Sequence, residues 1–244
     1  MGNPITWFET VGPDPEKRAA FFAELFGWHT ETADGGYILF DTHAGRGMNG
    51  GVSEPPPDAP PGSIFYVEGA DIQGMLDRAN ELGAETKMAV TEMPMVTFAV
   101  FADPWGNAIG LIKGEGDTRV GAGDNPPVDW VEIGCSEPEQ ACDFYRDLFG
   151  WTIEGDEPSD AGQVHASFHT GSDVGANGGI GSSRDGAPHI DLYALVDDVA
   201  KYVERVEPSG GSVVMPPMQV DDETQIAMFA DPTGNTFGVY GPLT

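Results

Sequence analysis

The chain contains the same segment twice. Residues 5–28 read ITWFETVGPDPEKRAAFFAELFGW, and residues 128–151 read VDWVEIGCSEPEQACDFYRDLFGW. Trp7 corresponds to Trp130 at the start of this segment, and the two copies stay in step to its end. A second repeat closes each half, since FADPWGNAIGL begins at Phe101 and FADPTGNTFGV begins at Phe229. Repetition at both ends of a segment indicates a duplicated structural unit.

This duplication predicts two domains, residues 1–114 and 128–244. They are joined by a linker at 115–127 that is rich in glycine, aspartate and proline. Hydrophobic residues make up 40% of the chain, which is enough for each half to bury its own core.

Each half alternates between strand and helix patterns. Ile5–Thr10 has the alternation of a strand, Asp14 is a suitable N-cap and Pro15 suits the first turn of a helix. The apolar positions then recur at helical spacing: Ala19, Phe22, Ala23 and Phe26. Three short strands follow, and the same order recurs later in each half, with helices expected after Asp71, at Glu137–Phe149 and at Asp198–Val206. The pattern predicts four βαβββ passages, two in each domain.

The net charge of −29 excludes several classes of partner. A surface this acidic repels nucleic acid and anionic membranes, so we expect neither as a partner. No apolar run is long enough to span a membrane, and the N-terminus has no signal-peptide pattern. We therefore expect a cytoplasmic monomer or homodimer, with Cys135 and Cys142 as reduced thiols.

Three sets of residues resemble a known superfamily. The helix ends FFAELFGW and FYRDLFGW, the VDDV at Val196–Val199 and the FADPxGN turns are similar to those of the vicinal oxygen chelate proteins. That superfamily includes glyoxalase I, bleomycin-resistance proteins, fosfomycin-resistance enzymes and extradiol dioxygenases. The resemblance covers nearly the whole chain. It implies an α+β fold in which each domain is a pair of βαβββ modules forming a curled mixed sheet around a cavity.

Metal-dependent members of this superfamily bind a divalent ion through the first and last strands of each module. The corresponding places in the first domain are Trp7, Gly50-Gly51, Ile64 and Gly110, and those in the second are Trp130, Gly178-Gly179, Asp191 and Gly238. Asp191 alone among them carries a metal-binding side chain, whereas an ion needs about three or more protein donors. We therefore expect no cofactor. The alternative is a displaced metal site formed by His165, His169, His189 and Asp191.

A tryptophan and a glutamate share one face of the first strand in each domain. Side chains alternate along a strand, so Glu9 faces the same way as Trp7, and Glu132 the same way as Trp130. The tryptophans are candidate ligand-binding walls, and the two carboxylates are candidate acid–base groups. Alternatively, each tryptophan fills the cavity and each glutamate bonds a neighbouring strand.

Two Asn-Gly-Gly runs begin at Asn49 and Asn177. Glycine there permits a turn or bulge, or the close approach of a ligand. The superfamily resemblance places both runs at the floor of the cavity, which makes the two asparagines candidate ligand-binding residues.

The predicted function is to bind or transform a small organic molecule in the cupped cavity without the superfamily's metal. One alternative is a metal-dependent lyase, isomerase or dioxygenase of the same superfamily. Another is a cofactor-free catalyst that uses Glu9 or Glu132. A structural protein with a filled cavity is the third class.

Overall fold

The computed structural model describes residues 2–55, 60–114, 123–155, 165–183 and 186–243. The first half contains β1 (Ile5–Val11), α1 (Pro15–Phe26), β2 (His29–Thr32), β3 (Ile38–Asp41), β4 (Asn49–Ser53), β5 (Gly62–Glu68), α2 (Ile72–Glu81), β6 (Glu85–Met93), β7 (Val96–Ala102) and β8 (Ala108–Gly114). The second half contains β9 (Val128–Cys135), α3 (Pro138–Phe149), β10 (Thr152–Glu154), β11 (His165–His169), β12 (Asn177–Ser182), β13 (His189–Leu195), α4 (Val199–Val206), β14 (Ser212–Gln219), β15 (Thr224–Ala230) and β16 (Thr236–Pro242). Most of the predicted linker lies outside the described residues.

The strands of each half form one eight-stranded sheet. The strand order is β2-β3-β4-β1-β5-β8-β7-β6 in the first sheet and β10-β11-β12-β9-β13-β16-β15-β14 in the second. β5 pairs parallel with β8 in the first sheet, and β13 pairs parallel with β16 in the second, whereas the strands at the sheet edges pair antiparallel with their neighbours. Each half is therefore a pair of βαβββ modules in a mixed sheet, which confirms the predicted α+β fold class.

The beginning of α1 differs from the sequence prediction. Pro15 occupies the first helical turn as expected, but Asp14 makes no side-chain cap hydrogen bond. Its backbone is left-handed at φ 52, a conformation that aspartate adopts more readily than most residues. Asp14 is still the N-cap residue, as predicted, and its backbone carbonyl accepts the Arg18 amide at 3.2 Å. At the other end Gly27 is also left-handed and donates its N–H to Ala23 O.

The second helix of each half has the expected side-chain cap. Asp71 accepts a hydrogen bond from the Gly74 amide at 2.9 Å, and Asp198 accepts one from the Lys201 amide at 3.2 Å. These bonds satisfy backbone donors that the first helical turn leaves unpaired. No helix within the described residues is long and apolar enough to cross a membrane.

The chain packs into two compact units, and each unit takes segments from both halves. Unit 1 consists of Met1–Trp7, Ile64–Thr118 and Val131–Ile190. Unit 2 consists of Phe8–Ser63, Arg119–Trp130 and Asp191–Thr244. The boundaries of the sequence repeat therefore differ from those of the compact units, because each unit combines modules from both copies of the repeat.

An aromatic cluster fills the core of unit 2. The rings of Phe22 and Phe237 are 5.1 Å apart, those of Phe26 and Trp28 are 4.6 Å apart, and Phe8 packs beside them. Trp28 is only 2% exposed, so it belongs to this core. The apolar face of α1 is thus covered by residues from the end of the other half.

Unit 1 has an equivalent core. Trp151 stacks on Phe168 at 4.3 Å and on Tyr145 at 5.6 Å, and it is 2% exposed. Cys135 and Cys142 are buried and form no disulfide, in agreement with the expected thiols. Burial raises the pKa of the Cys135 thiol to about 11, so this group stays protonated and unreactive at neutral pH.

The FADPxGN turn of the first half holds the first module of the second half within unit 1. One oxygen of Asp103 accepts hydrogen bonds from the amides of Trp105, Gly106 and Asn107, which closes the turn. The other oxygen accepts the Tyr145 hydroxyl at 2.8 Å, and the Asn107 side-chain amide donates to Gly134 O at 3.2 Å.

The corresponding turn in unit 2 uses a charged partner. Arg18 on α1 donates from Nε to Asp231 Oδ2 at 2.8 Å, and neither side chain is exposed to solvent. The Asn235 side-chain amide donates to Val11 O at 2.8 Å. Each turn therefore fixes both the first strand and the first helix of the module it meets.

Candidate functional site

The predicted carboxylate of unit 2 is Glu9 on β1. It is 8% exposed, and the Ser53 hydroxyl on the adjacent strand β4 donates a hydrogen bond to its Oε1. Ser53 is itself held through its carbonyl, which accepts a hydrogen bond from Arg18 Nη1 at 3.3 Å. Glu9 is thus fixed on its strand by a neutral donor from a neighbouring strand.

Tyr37 lies beside this pair. Its hydroxyl approaches the backbone of Gly51 so closely that a methyl group on Gly51 would overlap the tyrosine. Glycine at this place therefore serves the close approach of a side chain of the protein itself.

A cavity of about 400 Å³ opens next to the Ser53–Glu9 hydrogen bond in unit 2. Its lining residues come from the start of α1, the turn before β3 and the end of β4: Pro15, Glu16, Gly35, Gly36, Tyr37, Ser53 and Glu54. The charged members of this lining are both carboxylates, and the tyrosine supplies an aromatic edge. This combination suits a small molecule that carries a hydrogen-bond donor or a positive charge.

The equivalent carboxylate of unit 1 is Glu132 on β9. Its Oε2 lies 3.2 Å from His165 Nε2 on β11, and the hydrogen bond raises the pKa of His165 above its usual value, against the opposing effect of burial. The carboxylate lies on Gly179, where a methyl group would be 2.5 Å from Oε2. Chain positions pair Glu9 with Glu132, Gly51 with Gly179, and Tyr37 with His165.

The last-strand places that the superfamily uses for a metal are covered by aromatic rings. Tyr66 lies directly opposite Gly110 in the parallel pair β5–β8, and Tyr193 lies opposite Gly238 in β13–β16. Each ring rests on its glycine so closely that a methyl group there would overlap it. Both tyrosines are 7% exposed.

The remaining positions that correspond to metal ligands of the superfamily also lack a suitable set of donor side chains. The Phe8 ring lies on Gly50, and the Phe168 ring lies on Gly178. Asp191 is 8% exposed and accepts a hydrogen bond from Thr236 Oγ1 at 2.8 Å. Across the described ranges no three His, Cys, Asp or Glu side chains are placed to share a metal ion. The residues at these places do not fit a divalent ion.

The structure does not gather the displaced metal site considered as an alternative. His165 pairs with Glu132, and His169 is exposed at the other end of β11. The His189 ring lies on Gly134 and places Nδ1 3.3 Å from Ala187 O.

The predicted wall and floor residues have the following positions. Trp7 and Trp130 are both partly exposed, and the residues that follow them on their strands are buried, so each tryptophan shares a strand face with its glutamate. The Asn49 side-chain oxygen accepts the Thr42 amide at 2.8 Å, and that of Asn177 accepts the Thr170 amide at 3.0 Å. These bonds brace loops. The ligand-binding role of the tryptophans and asparagines stays a prediction.

Sequence reasoning missed the two tyrosines that cover the glycines. A signal was present, because Tyr66 and Tyr193 follow Ile64 and Asp191 by two residues, as Glu9 follows Trp7. The period-two rule places them on the face of the predicted metal places. Their contact with glycines on the parallel strand required the strand order, which the sequence alone does not supply.

Comparison with known proteins agrees with this architecture. The family model described as Glyoxalase/Bleomycin resistance protein/Dioxygenase superfamily matches residues 5–111 and 128–239. The anthracycline biosynthesis protein DnrV of Streptomyces peucetius is 33% identical over 124 residues, covering 46% of this chain and 45% of that protein. The match thus spans less than half of this relative's length.

Two solved structures have the same fold across the chain. The 2,3-dioxygenase LapB from Pseudomonas sp. KL28 has a TM-score of 0.73 at 16% identity, covering 100% of this chain and 94% of that one. The Mn(II)-bound glyoxalase from Novosphingobium aromaticivorans has a TM-score of 0.72 at 14% identity, covering 100% and 83%. At these identities the likeness concerns the fold alone. With the family match across both halves, it follows that the chain belongs to the Glyoxalase/Bleomycin resistance protein/Dioxygenase superfamily.

Proposed function

We propose that this protein binds a small organic molecule and does so without a divalent metal ion. The observation that carries the proposal is the pair of tyrosine rings, Tyr66 and Tyr193, resting on Gly110 and Gly238. These are places from which metal-dependent relatives supply a ligand. A buried aromatic ring there offers apolar surface to a flat ligand and no strong donor to a metal.

The acidic side chains indicate which polar groups the ligand carries. Glu9 and Glu132 are hydrogen-bonded on their strands, and the cavity beside Ser53 is bordered by further carboxylates. A ligand with an N–H donor or a positive charge suits these groups, because hydrogen bonds to carboxylates are stronger when the donor is charged. The acid–base role predicted for Glu9 and Glu132 stays a prediction.

The test compounds are chosen for a flat aromatic shape and for likeness to the compounds named in the description of one relative. DnrV is named for anthracycline biosynthesis, and that name supports including fused aromatic ring systems. Matched amines and neutral analogues of each compound separate recognition of charge from recognition of the ring.

The first experiment asks which small molecules accompany the full-length protein. Native mass spectrometry of protein purified without chelator identifies a co-purifying mass, and elemental analysis measures bound metal. We expect an organic ligand and well under one metal ion per chain. Binding of that ligand, or of a hit from the panel, is then measured by calorimetry before and after EDTA treatment, and the affinity should not change.

The tryptophans provide the residue-level test. Trp7→Ala or Trp130→Ala should weaken ligand binding by about 1–3 kcal/mol, the scale of one buried aromatic surface. If ligand binding disappears with EDTA and returns with one equivalent of manganese, iron, nickel or zinc, the metal-free proposal is wrong. If both variants bind as the wild type does while unfolding more easily, the tryptophans serve only the core.

A further inference from the structure

We infer that Glu132 and Gly179 form a binding place for the N–H group of an organic cation, and that His165 occupies this place until such a ligand replaces it. The inference rests on the proposed small-molecule function and names the ligand class for the second copy of the site. All three residues belong to unit 1.

The geometry of Gly179 shows that the carboxylate has a prepared position. A methyl group at this residue would lie 2.5 Å from Glu132 Oε2 and 2.7 Å from Oε1, so any other side chain would displace the carboxylate. With glycine there, Glu132 lies against β12 and presents Oε2 to a ring nitrogen at 3.2 Å. The place therefore already accepts a planar N–H group.

His165 has the properties of an exchangeable occupant. Its side chain is 63% exposed, whereas that of Glu132 is 22% exposed. An ion pair with so exposed a member contributes little to stability, so a ligand can take its place at small cost. The hydrogen bond to Glu132 raises the pKa of His165, which means that the pair favours the imidazolium form. A carboxylate oxygen presented to a ring nitrogen in this way bonds a charged donor more strongly than a neutral one.

The first copy of the site has a different arrangement. There the Ser53 hydroxyl, from the strand next to Glu9, donates to the carboxylate. The residue corresponding to Ser53 in the second half is Gly181, which lies directly opposite His165 and has no hydroxyl to donate. The serine hydroxyl that bonds the carboxylate in one copy is thus replaced by an exposed histidine in the other.

The surroundings of His165 favour a positive charge as well. Glu154 on β10 pairs with Ser167, so it lies on the same sheet face as His165 and His169. The facing part of β12 contributes glycines and no charge, and α3 packs on the opposite face, where Phe168 contacts Trp151. Among the described residues, the titratable groups on this face include Glu154, His165 and His169, and also His189 of β13, whose ring lies on Gly134 two residues after Glu132.

The probe for this place is benzamidinium, a planar cation whose two N–H donors match a carboxylate. Calorimetry gives its affinity, and the amide resonance of Gly179 reports where it binds on the full-length protein. If His165 occupies Glu132 about nine-tenths of the time, His165→Ala should raise the apparent affinity about tenfold. Glu132→Gln should abolish binding. His169→Ala, an exposed histidine on the same strand, should leave the affinity unchanged.

Two further controls keep the test independent of folding and of the proposed function. His165→Gln retains a neutral N–H donor and should give an affinity between those of wild type and His165→Ala, and urea unfolding verifies that each variant is folded. Equal affinity in wild type and His165→Ala, binding retained in Glu132→Gln, or no binding by any folded variant would overturn the inference. None of these results touches the co-purified ligand and EDTA measurements, which decide the proposed function separately.

Discussion

Replacing Asp231 with asparagine should destabilise unit 2 strongly. The change keeps the shape of the side chain and the Oδ1 atom that accepts the Thr233 and Asn235 amides, but it removes the charge that faces Arg18 at 2.8 Å. Both side chains of the pair are fully buried. Removing one partner of a buried ion pair leaves an uncompensated charge and costs about 3–5 kcal/mol.

The double variant Arg18→Met with Asp231→Asn measures the energetic coupling between the two buried charges. Because it removes both buried charges together, it should cost much less than the sum of the two single changes, with a coupling energy of about 2 kcal/mol or more. Tyr145→Phe is the matched control in unit 1. It removes one hydrogen bond to Asp103 and should cost about 1.5–3 kcal/mol.

Urea unfolding followed by circular dichroism and tryptophan fluorescence measures these free energies. Urea is preferred to guanidinium chloride because the salt would also screen the −29 net charge. If the two units unfold in separate transitions, Asp231→Asn should shift one transition and Tyr145→Phe the other. An Asp231→Asn protein within 1 kcal/mol of wild type, or a double variant as unstable as the sum of both singles, would refute this reasoning.

Three further outcomes follow from the structure. The melting temperature should rise from low to molar salt, because salt screens like charges beyond about 8–10 Å near physiological ionic strength; an unchanged value in both chloride and sulfate would contradict this. Gly110→Ala should destabilise the protein by about 1–3 kcal/mol because its methyl group overlaps Tyr66, whereas Gly62→Ala, which meets no atom within 4 Å, should not. NMR titration should show a lower pKa for His165 in Glu132→Gln. Because Glu132 raises that pKa, the stabilisation from this pair is present below the unfolded-state pKa of histidine and is lost as pH rises through the folded-state value. An unchanged His165 titration would mean that the pair does not form in solution.

Local sequence patterns were sufficient for the fold. Apolar periodicity located α1, and the repeated turns and helix ends predicted paired βαβββ modules. The N-cap position at Asp14 was predicted, but its left-handed backbone and the absence of a side-chain cap hydrogen bond were not. Apolar periodicity, the repeated turns and the helix ends all predicted the same fold, and the structure has that fold.

The candidate site was predicted only in part. Strand alternation assigns Glu9 to the same strand face as Trp7. The Ser53 hydrogen bond and the tyrosines over Gly110 and Gly238 depend on which strands are neighbours, and no local pattern encodes that. The Arg18–Asp231 pair joins residues 213 positions apart, so its burial could not be read from either segment alone.

The packing of α1 has a consequence for protein synthesis. Its Phe21 and Phe22 rings contact Phe229 and Phe237, and Arg18 contacts Asp231, yet all of these partners are translated some two hundred residues later. At about 5–20 residues per second, a ribosome takes roughly 10–40 s to cover that distance. During this interval the apolar face of α1 and the Arg18 guanidinium lack the residues that bury them in the folded protein. The nascent chain therefore exposes a surface that a chaperone can bind. This surface is buried only when the second copy of the repeat is complete.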